Sequence, residues 1–221
     1  LNEEKNIPLI LKELKKISTK NEIIFVDDNS SDNSGLIIKR FLTNKIRFIK
    51  RVNKEKDLSK SVMLGVEKAK YNNVLVLDCD LQHNINSANL LISKFLKEKK
   101  DIVIGSRFLK KKYSGNLGFV RTLFSLFFIS LINIFFKKKT SDPLSGFFIC
   151  KKNLILPFKR RFYLKGYKIL FDIIYNGNKN IKTTDIQIIF KKRIYGKSKL
   201  NFKIVKTFIK QCLYSFVRVN F

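Results

Sequence analysis

The sequence predicts an α/β fold in which a mixed, mostly parallel sheet is flanked by helices. Short apolar segments alternate with segments of helical periodicity, and the links between them are short, as in parallel strands joined by helices. Two apolar segments end in acidic pairs, Asp27 with Asp28 and Asp78 with Asp80. Ligands of such sheets bind beyond the carboxyl ends of the strands, so both pairs are expected to face one crevice.

Strands and helices are predicted to alternate through the first half of the chain. The strands are short apolar runs, and the run at 73–78 is apolar enough to suit a strand buried on both faces. The helices carry apolar residues at helical spacing, and the first begins with Ser and Asp cap residues. In chain order the predicted elements are strand 22–28, helix 31–42, strand 46–51, helix 58–70, strand 73–78, helix 87–100 and strand 101–107.

Two later segments are apolar and flanked or interrupted by basic residues. Residues 123–136, LFSLFFISLINIFF, lie between Arg121 and the lysines at 137–139, and residues 200–221 are similar in character. The first segment is shorter than the ~20 residues that span a bilayer. Two interpretations are open: a helix buried in the core, or a helix lying in the membrane interface.

The chain of 221 residues carries a formal net charge of +29, from 46 Lys and Arg against 17 Asp and Glu. This excess attracts anions such as nucleic acid, phosphates or an acidic membrane surface, although a Lys-rich composition alone is an alternative explanation. The cations are dispersed and form no nucleic-acid recognition motif. The three cysteines are scattered, so disulfides are not expected.

Asp78 and Asp80 predict a site for a divalent cation. Two neighbouring carboxylates repel each other, and Mg²⁺ or Mn²⁺ removes that cost while also binding substrate phosphates. Gln82 offers a neutral oxygen from the same loop. The alternative is that one acid caps the next helix and the other is solvated. His83 is interpreted as a structural residue rather than a proton carrier.

Eight motifs occur in the order found in a known family. They are LNEEKNI (1–7), FVDDNSSDNS (25–34), LSKSVMLG (58–65), LDCDLQHN (77–84), IGSRF (104–108), SDPLSGFF (141–148), KGYKILFDII (165–174) and RIYGKSKL (193–200). The chain thereby resembles the family-2 glycosyltransferases with the GT-A fold, and within them the polyprenol-phosphate (dolichol-phosphate) mannosyltransferases. Asp57 departs from the family pattern, which usually has glycine there. The first family strand is expected to precede Leu1.

The resemblance implies roles on the donor side. Glu3, Asp27 and the backbone of Phe25 would contact the nucleotide of a nucleotide sugar. Its sugar diphosphate would lie against Asp78, Cys79 and Asp80, and the metal would be held by Asp78, Asp80 and Gln82. Arg193 and Lys199 would close over the diphosphate from a mobile loop.

The resemblance also implies a lipid acceptor, a polyprenyl phosphate. Arg107 would meet a phosphate, and Arg121 and Ser125 would receive the lipid phosphate; their spacing of four places both on one helix face. The implied organisation is a catalytic domain at 1–200, with candidate interfacial helices at 115–139 and a membrane-proximal amphipathic helix at 201–221. The expected location is the cytoplasmic face of a membrane, as a peripheral or monotopic protein, and protein partners are left open.

The acceptor decides the chemistry that is expected. A phosphate monoester has a second pKa of ~6, so it is already a nucleophile at neutral pH and needs no general base. Attack from the far side of C1 would invert the anomeric centre, giving a β-linked product from GDP-mannose. One alternative is transfer from a UDP-sugar to a lipid phosphate or a glycan hydroxyl, for which Asp142 would be the base. The other is a basic nucleic-acid-binding protein.

Overall fold

The computed structural model describes residues 1–17, 19–52, 55–109, 118–196 and 202–220. The described residues form helices and strands that alternate in the first half, as predicted. In chain order they are α1 (Ile7–Leu14), β1 (Ile23–Asp27), α2 (Ser34–Lys39), β2 (Ile46–Lys50), α3 (Leu58–Lys68), β3 (Asn73–Val76), α4 (Ile85–Glu98), β4 (Ile102–Ser106), α5 (Phe119–Phe135), β5 (Phe148–Lys151), α6 (Ile169–Tyr175), β6 (Thr183–Gln187) and α7 (Phe202–Asn220), with short 3₁₀ segments at Lys152–Leu154 and Leu156–Arg161.

The strands form a two-stranded sheet, β1–β2, and a four-stranded sheet in the order β3–β5–β4–β6. The pairs β1–β2 and β4–β6 are parallel, whereas β5 runs antiparallel to both of its neighbours, β3 and β4. β3, β4 and β6 therefore point the same way, and β5 alone is reversed. This confirms the prediction of a mixed, mostly parallel sheet flanked by helices.

The core lies on both faces of the larger sheet, with β4 at its centre. Ile102 and Ile104 of β4 face a cluster that includes α5, α6 and Phe208 of α7, and Val103 faces the opposite cluster with α1 and α4. Alternation along a strand produces this division because successive side chains point to opposite faces. All of β4 is buried. The prediction of a fully buried strand at 73–78 is wrong, because β3 is one of the two edge strands of its sheet and is only partly buried.

The helix predicted at 123–136 forms as α5, and its environment lies between the two interpretations. Within it only Ile129 and Ile132 are buried. Many of its large apolar side chains are exposed: Phe119, Val120, Leu123, Phe124, Leu126, Phe127, Ile134 and Phe135. α5 therefore attaches to the core along one edge and presents a wide apolar face to the surroundings.

α7 packs onto the body of the fold beside α5. Phe208 stacks edge-on against Phe128 of α5, and Phe216 does so against Phe135. On its inner side, Ser215 accepts a hydrogen bond of 2.8 Å from the Asn176 amide. Among the helices in the described ranges, none combines the length and the apolar character needed to cross a membrane.

Candidate active site

The loop after β3 carries three side chains whose oxygen atoms could bind a metal ion, those of Asp78, Asp80 and Gln82. The Asp80 carboxylate accepts a hydrogen bond of 3.1 Å from the Gln82 N–H, and Leu81 between them has a φ of 60°, in the left-handed region. Such a conformation in a leucine stores strain and is typical of functional sites. The Gln82 amide nitrogen donates to the Lys191 carbonyl at 3.1 Å. Its side-chain oxygen faces the Arg193 guanidinium.

The Arg193 guanidinium contacts these donors directly. Its Nη2 lies 2.6 Å from Asp80 Oδ2 and 3.4 Å from Gln82 Oε1, and its Nη1 lies 3.9 Å from Glu3 Oε1. A cation thus occupies the point on which the carboxylate and the amide converge. The structure brings together Glu3, Asp80, Gln82 and Arg193, whereas Lys199 lies outside the described residues.

Asp78 completes the acidic part of the site. Burial raises the pKa of both carboxyl groups, and the charge of Asp78 raises the pKa of Asp80 further. Two such carboxylates ionise fully only when a cation compensates them. Gly146 makes room for Asp78, because a Cβ at this glycine would lie 3.3 Å from the Asp78 carboxylate.

These donors fit the binding of Mg²⁺ or Mn²⁺. In the part of the chain that the structure describes, no group of three or more His, Cys, Asp or Glu side chains could hold a metal ion. The protein therefore offers two carboxylates and one amide oxygen. A hard cation bound mainly through substrate phosphates needs no more than that.

His83 is packed between aromatic rings beside the acidic loop. Its ring stacks on Phe147 with centroids 4.6 Å apart and meets Phe190 edge-on, and its Nδ1 accepts a hydrogen bond of 3.4 Å from the Asp78 N–H. Burial lowers its pKa to about 4. His83 is therefore neutral at pH 7, and it fixes the backbone of Asp78.

A second part of the site is basic. Lys168 was not assigned a role from the sequence, although it lies in the KGYK motif. Its ammonium donates to the Leu144 carbonyl at 2.9 Å. Its pKa is lowered to about 8, mainly by burial. The charges of Arg107 and Arg121 also lower this pKa, whereas those of Asp142 and Asp78 raise it. Lys168 thus lies close enough to the acidic loop and to the two predicted phosphate-binding arginines to feel the charges of both.

Arg107 and Asp142 form a buried ion pair. Arg107 Nε lies 2.7 Å from Asp142 Oδ2, its Nη2 lies 2.8 Å from Oδ1, and its backbone N–H donates to Oδ2 at 3.1 Å. Asp142 is completely buried. Its carboxylate is therefore engaged with Arg107 on both oxygens, which argues against the role of a base for a hydroxyl acceptor.

The remaining predicted residues lie around these two parts. Asp27 is buried at the end of β1 and accepts hydrogen bonds from the N–H and the hydroxyl of Ser30. Phe25 packs in the core, and Cys79 is half-buried with a thiol pKa raised to about 12 by burial. Arg121 and Ser125 are half-buried near the start of α5. Their predicted roles toward ligands stay predictions.

Solved structures with a similar fold include glucosyl-3-phosphoglycerate synthase from Mycobacterium tuberculosis in complex with Mn²⁺, UDP-glucose and phosphoglyceric acid. The match has a TM-score of 0.76 and 14% sequence identity, and it covers 98% of this chain and 77% of that chain. A second complex of the same enzyme, with Mn²⁺ and UDP-glucose, gives a TM-score of 0.74. At this identity the likeness concerns the fold alone, and it confirms the predicted GT-A fold.

Sequence comparisons find curated relatives over most of the chain. A dolichol-phosphate mannosyltransferase from Pyrococcus furiosus is 32% identical over 191 residues, which cover 86% of this chain and 53% of that protein. One from Saccharomyces cerevisiae is 28% identical over 209 residues, covering 89% and 74%. The chain thus spans about half the length of the Pyrococcus relative. The model of glycosyl transferase family 2 matches residues 1–159, and the chain belongs to that family.

Proposed function

We propose that the chain transfers mannose from GDP-mannose to a polyprenyl phosphate, in a metal-dependent reaction that inverts the anomeric centre. One observation carries the proposal: the acidic loop after β3, whose side chains contact the Arg193 guanidinium, lies beside a group of basic side chains. Asp78, Asp80 and Gln82 form the first part, and Lys168 with Arg107 the second. This arrangement suits a reaction that brings two anions together.

Among the described residues, neither His83 nor Asp142 is suited to act as a general base, which supports a phosphate acceptor. A hydroxyl acceptor must lose its proton, and general bases work best with a pKa near the operating pH. His83 has a pKa of about 4, and Asp142 is held on both oxygens by Arg107. A phosphate monoester is largely dianionic at pH 7, so it attacks without help.

The chain's residues then have defined tasks in the transfer. The lipid phosphate oxygen forms a bond to C1 of the sugar while the bond from C1 to the nucleotide diphosphate breaks. Lys168 and Arg121 would hold the incoming phosphate, and Arg193 would stabilise the negative charge that develops on the leaving diphosphate. Bound Mg²⁺ or Mn²⁺ would neutralise part of that charge.

The exposed faces of α5 and α7 fit a lipid that stays in the bilayer. α7 exposes Leu213, Phe216 and Val217 beside the apolar face of α5, and the two helices touch through Phe216 and Phe135. α7 also exposes lysines at positions 203, 206 and 210. Anionic headgroups attract each nearby cation by ~1 kcal/mol. We propose that this surface docks on the cytoplasmic face of a membrane.

The choice of donor rests on the relatives. The curated relatives named above are dolichol-phosphate mannosyltransferases. Both UDP-glucose complexes cited above are of an enzyme that is 14% identical to this chain, and that likeness bears on the fold and not on the nucleotide. GDP-mannose is therefore proposed ahead of a UDP-sugar.

A donor screen tests the proposal. Radiolabelled GDP-mannose, UDP-glucose and UDP-N-acetylglucosamine would each be incubated with the protein, Mg²⁺ or Mn²⁺, and vesicles that contain a polyprenyl phosphate. We expect a labelled lipid from GDP-mannose alone. The matched control replaces the polyprenyl phosphate by the same polyprenol, which should accept nothing. Labelling of the unphosphorylated alcohol, or of the lipid from a UDP-sugar only, would contradict the proposal.

A further inference from the structure

Asp57 connects three parts of the fold. It is the N-cap residue of α3, and its carboxylate accepts a hydrogen bond of 3.1 Å from the Lys60 N–H. Its φ of −155° is ordinary extended backbone, so the glycine that the family usually has here is not needed for conformational reasons. Asp57 is also buried. A buried carboxylate in place of glycine calls for partners that glycine would not have.

The principal partner lies far away in the sequence. The second carboxylate oxygen of Asp57 accepts a hydrogen bond of 2.7 Å from the Gly166 N–H. The Gly166 carbonyl in turn accepts from the N–H and the hydroxyl of Ser59, at 3.0 and 3.1 Å. Gly166 has a φ of +93°, which favours glycine. The loop at 163–168 is therefore tied to the start of α3 through both the N–H and the carbonyl of Gly166.

This loop carries Lys168 into the site. Two residues after Gly166, the Lys168 ammonium donates to the Leu144 carbonyl, and the charge of Asp78 acts on it. The Lys168 carbonyl accepts a hydrogen bond of 3.2 Å from Gln211 of α7. The position of the ammonium therefore depends on how the preceding peptide units are held.

The backbone of Asp57 reaches the other sheet. Its N–H donates to the carboxylate of Asp28, and its carbonyl accepts a hydrogen bond of 3.0 Å from Arg51, which is itself paired with Asp28. Asp28 and Arg51 directly follow β1 and β2, at the edge where the nucleotide is proposed to bind. Asp57 thus joins that edge to the loop that carries Lys168.

We propose that Asp57 is a positioning residue, whose carboxylate holds the loop at 163–168 so that the Lys168 ammonium meets the phosphate groups of the reaction. The link is a property of this chain, because the glycine usual at this position has no side chain to accept from Gly166. The role in catalysis rests on the proposed function. The link itself does not, and each is tested separately.

The first experiment needs no substrate. Amide hydrogen exchange would be measured on the full chain, in the peptide that contains Gly166. We expect Asp57→Gly to speed exchange at Gly166 by ~10-fold or more, since a buried hydrogen bond to a charged acceptor is lost. The control is Asp101→Asn, because Asp101 also joins distant segments, through Lys151 and the Lys182 N–H, but at the start of β4. It should leave Gly166 unchanged.

The second experiment is a double-mutant cycle on mannosyl transfer. Asp57→Gly should lower kcat by ~10-fold in the parent protein and by less than ~2-fold in the background of Lys168→Met. A purely structural role would give the same loss in both backgrounds. Should Asp57→Gly fail to fold, Asp57→Asn replaces it, because it keeps the volume and one acceptor oxygen.

The outcomes separate the two proposals. Equal losses of kcat in both backgrounds, or exchange at Gly166 that Asp57→Gly leaves unchanged, would overturn the positioning role. A parent protein that transfers no sugar would overturn the proposed function. In that case the exchange result alone decides whether Asp57 holds the loop.

Discussion

Arg107 and Asp142 meet in a two-pronged ion pair, with Nε 2.7 Å from Oδ2 and Nη2 2.8 Å from Oδ1. Planar guanidinium and carboxylate groups match each other in this geometry, which adds orientation as well as energy. The pair joins the end of β4 to the loop that contains Leu144, the partner of Lys168. The ion pair therefore fixes the orientation of the Arg107 guanidinium in the basic part of the site.

The first prediction follows from the burial of this pair. Asp142→Asn should lower the free energy of unfolding by ~3 kcal/mol, because it leaves the Arg107 charge buried without its partner. Glu13→Gln is the control, since Glu13 and Lys16 form an exposed pair, and should change stability by less than ~0.5 kcal/mol. Urea unfolding of both variants provides the measurement. If Asp142→Asn kept the stability of the parent protein, the Asp142 carboxylate would not be needed to stabilise Arg107 and could act as a base.

The second prediction concerns the metal. Asp80→Asn removes a charge without removing volume, so it should abolish transfer while the protein stays folded. Because burial and the neighbouring Asp78 raise the pKa of Asp80, the loss of its charge should not destabilise the metal-free protein. EDTA should stop transfer by the parent protein, and added Mn²⁺ should restore it. Full activity in excess EDTA would rule out the assignment of Asp78, Asp80 and Gln82.

The third prediction concerns Arg193, which contacts Asp80 and Gln82 in the structure. Arg193→Ala should bind Mn²⁺ more tightly in the absence of donor, because a competing positive charge is gone. The same variant should lose ~3 kcal/mol of transition-state stabilisation, and its kcat should fall accordingly. Calorimetric titration and initial rates provide the two measurements, with Lys192→Ala, a change to an exposed neighbour, as control. Weaker Mn²⁺ binding would mean that Arg193 does not compete with the metal.

The fourth prediction is a dependence of stability on pH through His83. Its pKa is about 4 in the folded chain and ordinarily 6.5. The lowered pKa means that its stabilising contribution is present above pH 6.5 and is lost as pH falls toward 4, by about 3 kcal/mol in total. Unfolding midpoints of the parent and of His83→Gln, compared between pH 7 and 4, isolate this contribution. The difference should shrink as pH falls, and a constant difference would contradict the assignment.

The fifth prediction separates membrane docking from core packing on α5. Phe127 is 58% exposed and Leu123 is 51% exposed, one turn apart on one face. Changing both to Ser should leave the melting temperature nearly unchanged and release the protein from anionic vesicles. Phe128→Ser is the contrasting variant, because Phe128 packs against Phe208, and it should lower stability by up to ~3 kcal/mol. Vesicle binding retained by the double variant would place the docking surface elsewhere.

The alternation of strands and helices between residues 22 and 107 was predictable because each element there carries its own periodicity, whereas α1 was not predicted. β1, β2 and β4 form within the predicted segments. β5 and α6 were not predicted, because FICK and ILFDIIY are short apolar runs in which a buried strand and a buried helix look alike. Phe127 and Phe128 are neighbours in α5, and sequence alone did not show that Phe127 is exposed whereas Phe128 packs against Phe208.

The candidate site was predictable where one loop carries it. Asp78, Asp80 and Gln82 are close in sequence, and their convergence follows from the end of a strand. Lys168 was missed because its approach to Asp78 depends on the link between Gly166 and Asp57, which are 109 residues apart. The engagement of Asp142 by Arg107 was likewise invisible, since nothing in the SDPLSGFF motif shows which side chain meets its carboxylate.

The reversed strand β5 acts as a spacer of fixed width. Phe148 of β5 pairs with Val76 on one side and Ile104 on the other. Asp78 and Ser106 each lie two residues further along the chain from these paired positions, and Gly146 approaches Asp78 closely. Two inter-strand steps of ~4.8 Å separate the strands that lead to the acidic and basic halves. Backbone hydrogen bonds set this distance between β3 and β4. Substitutions in the surrounding side chains would therefore leave the distance between the acidic and basic parts of the site unchanged.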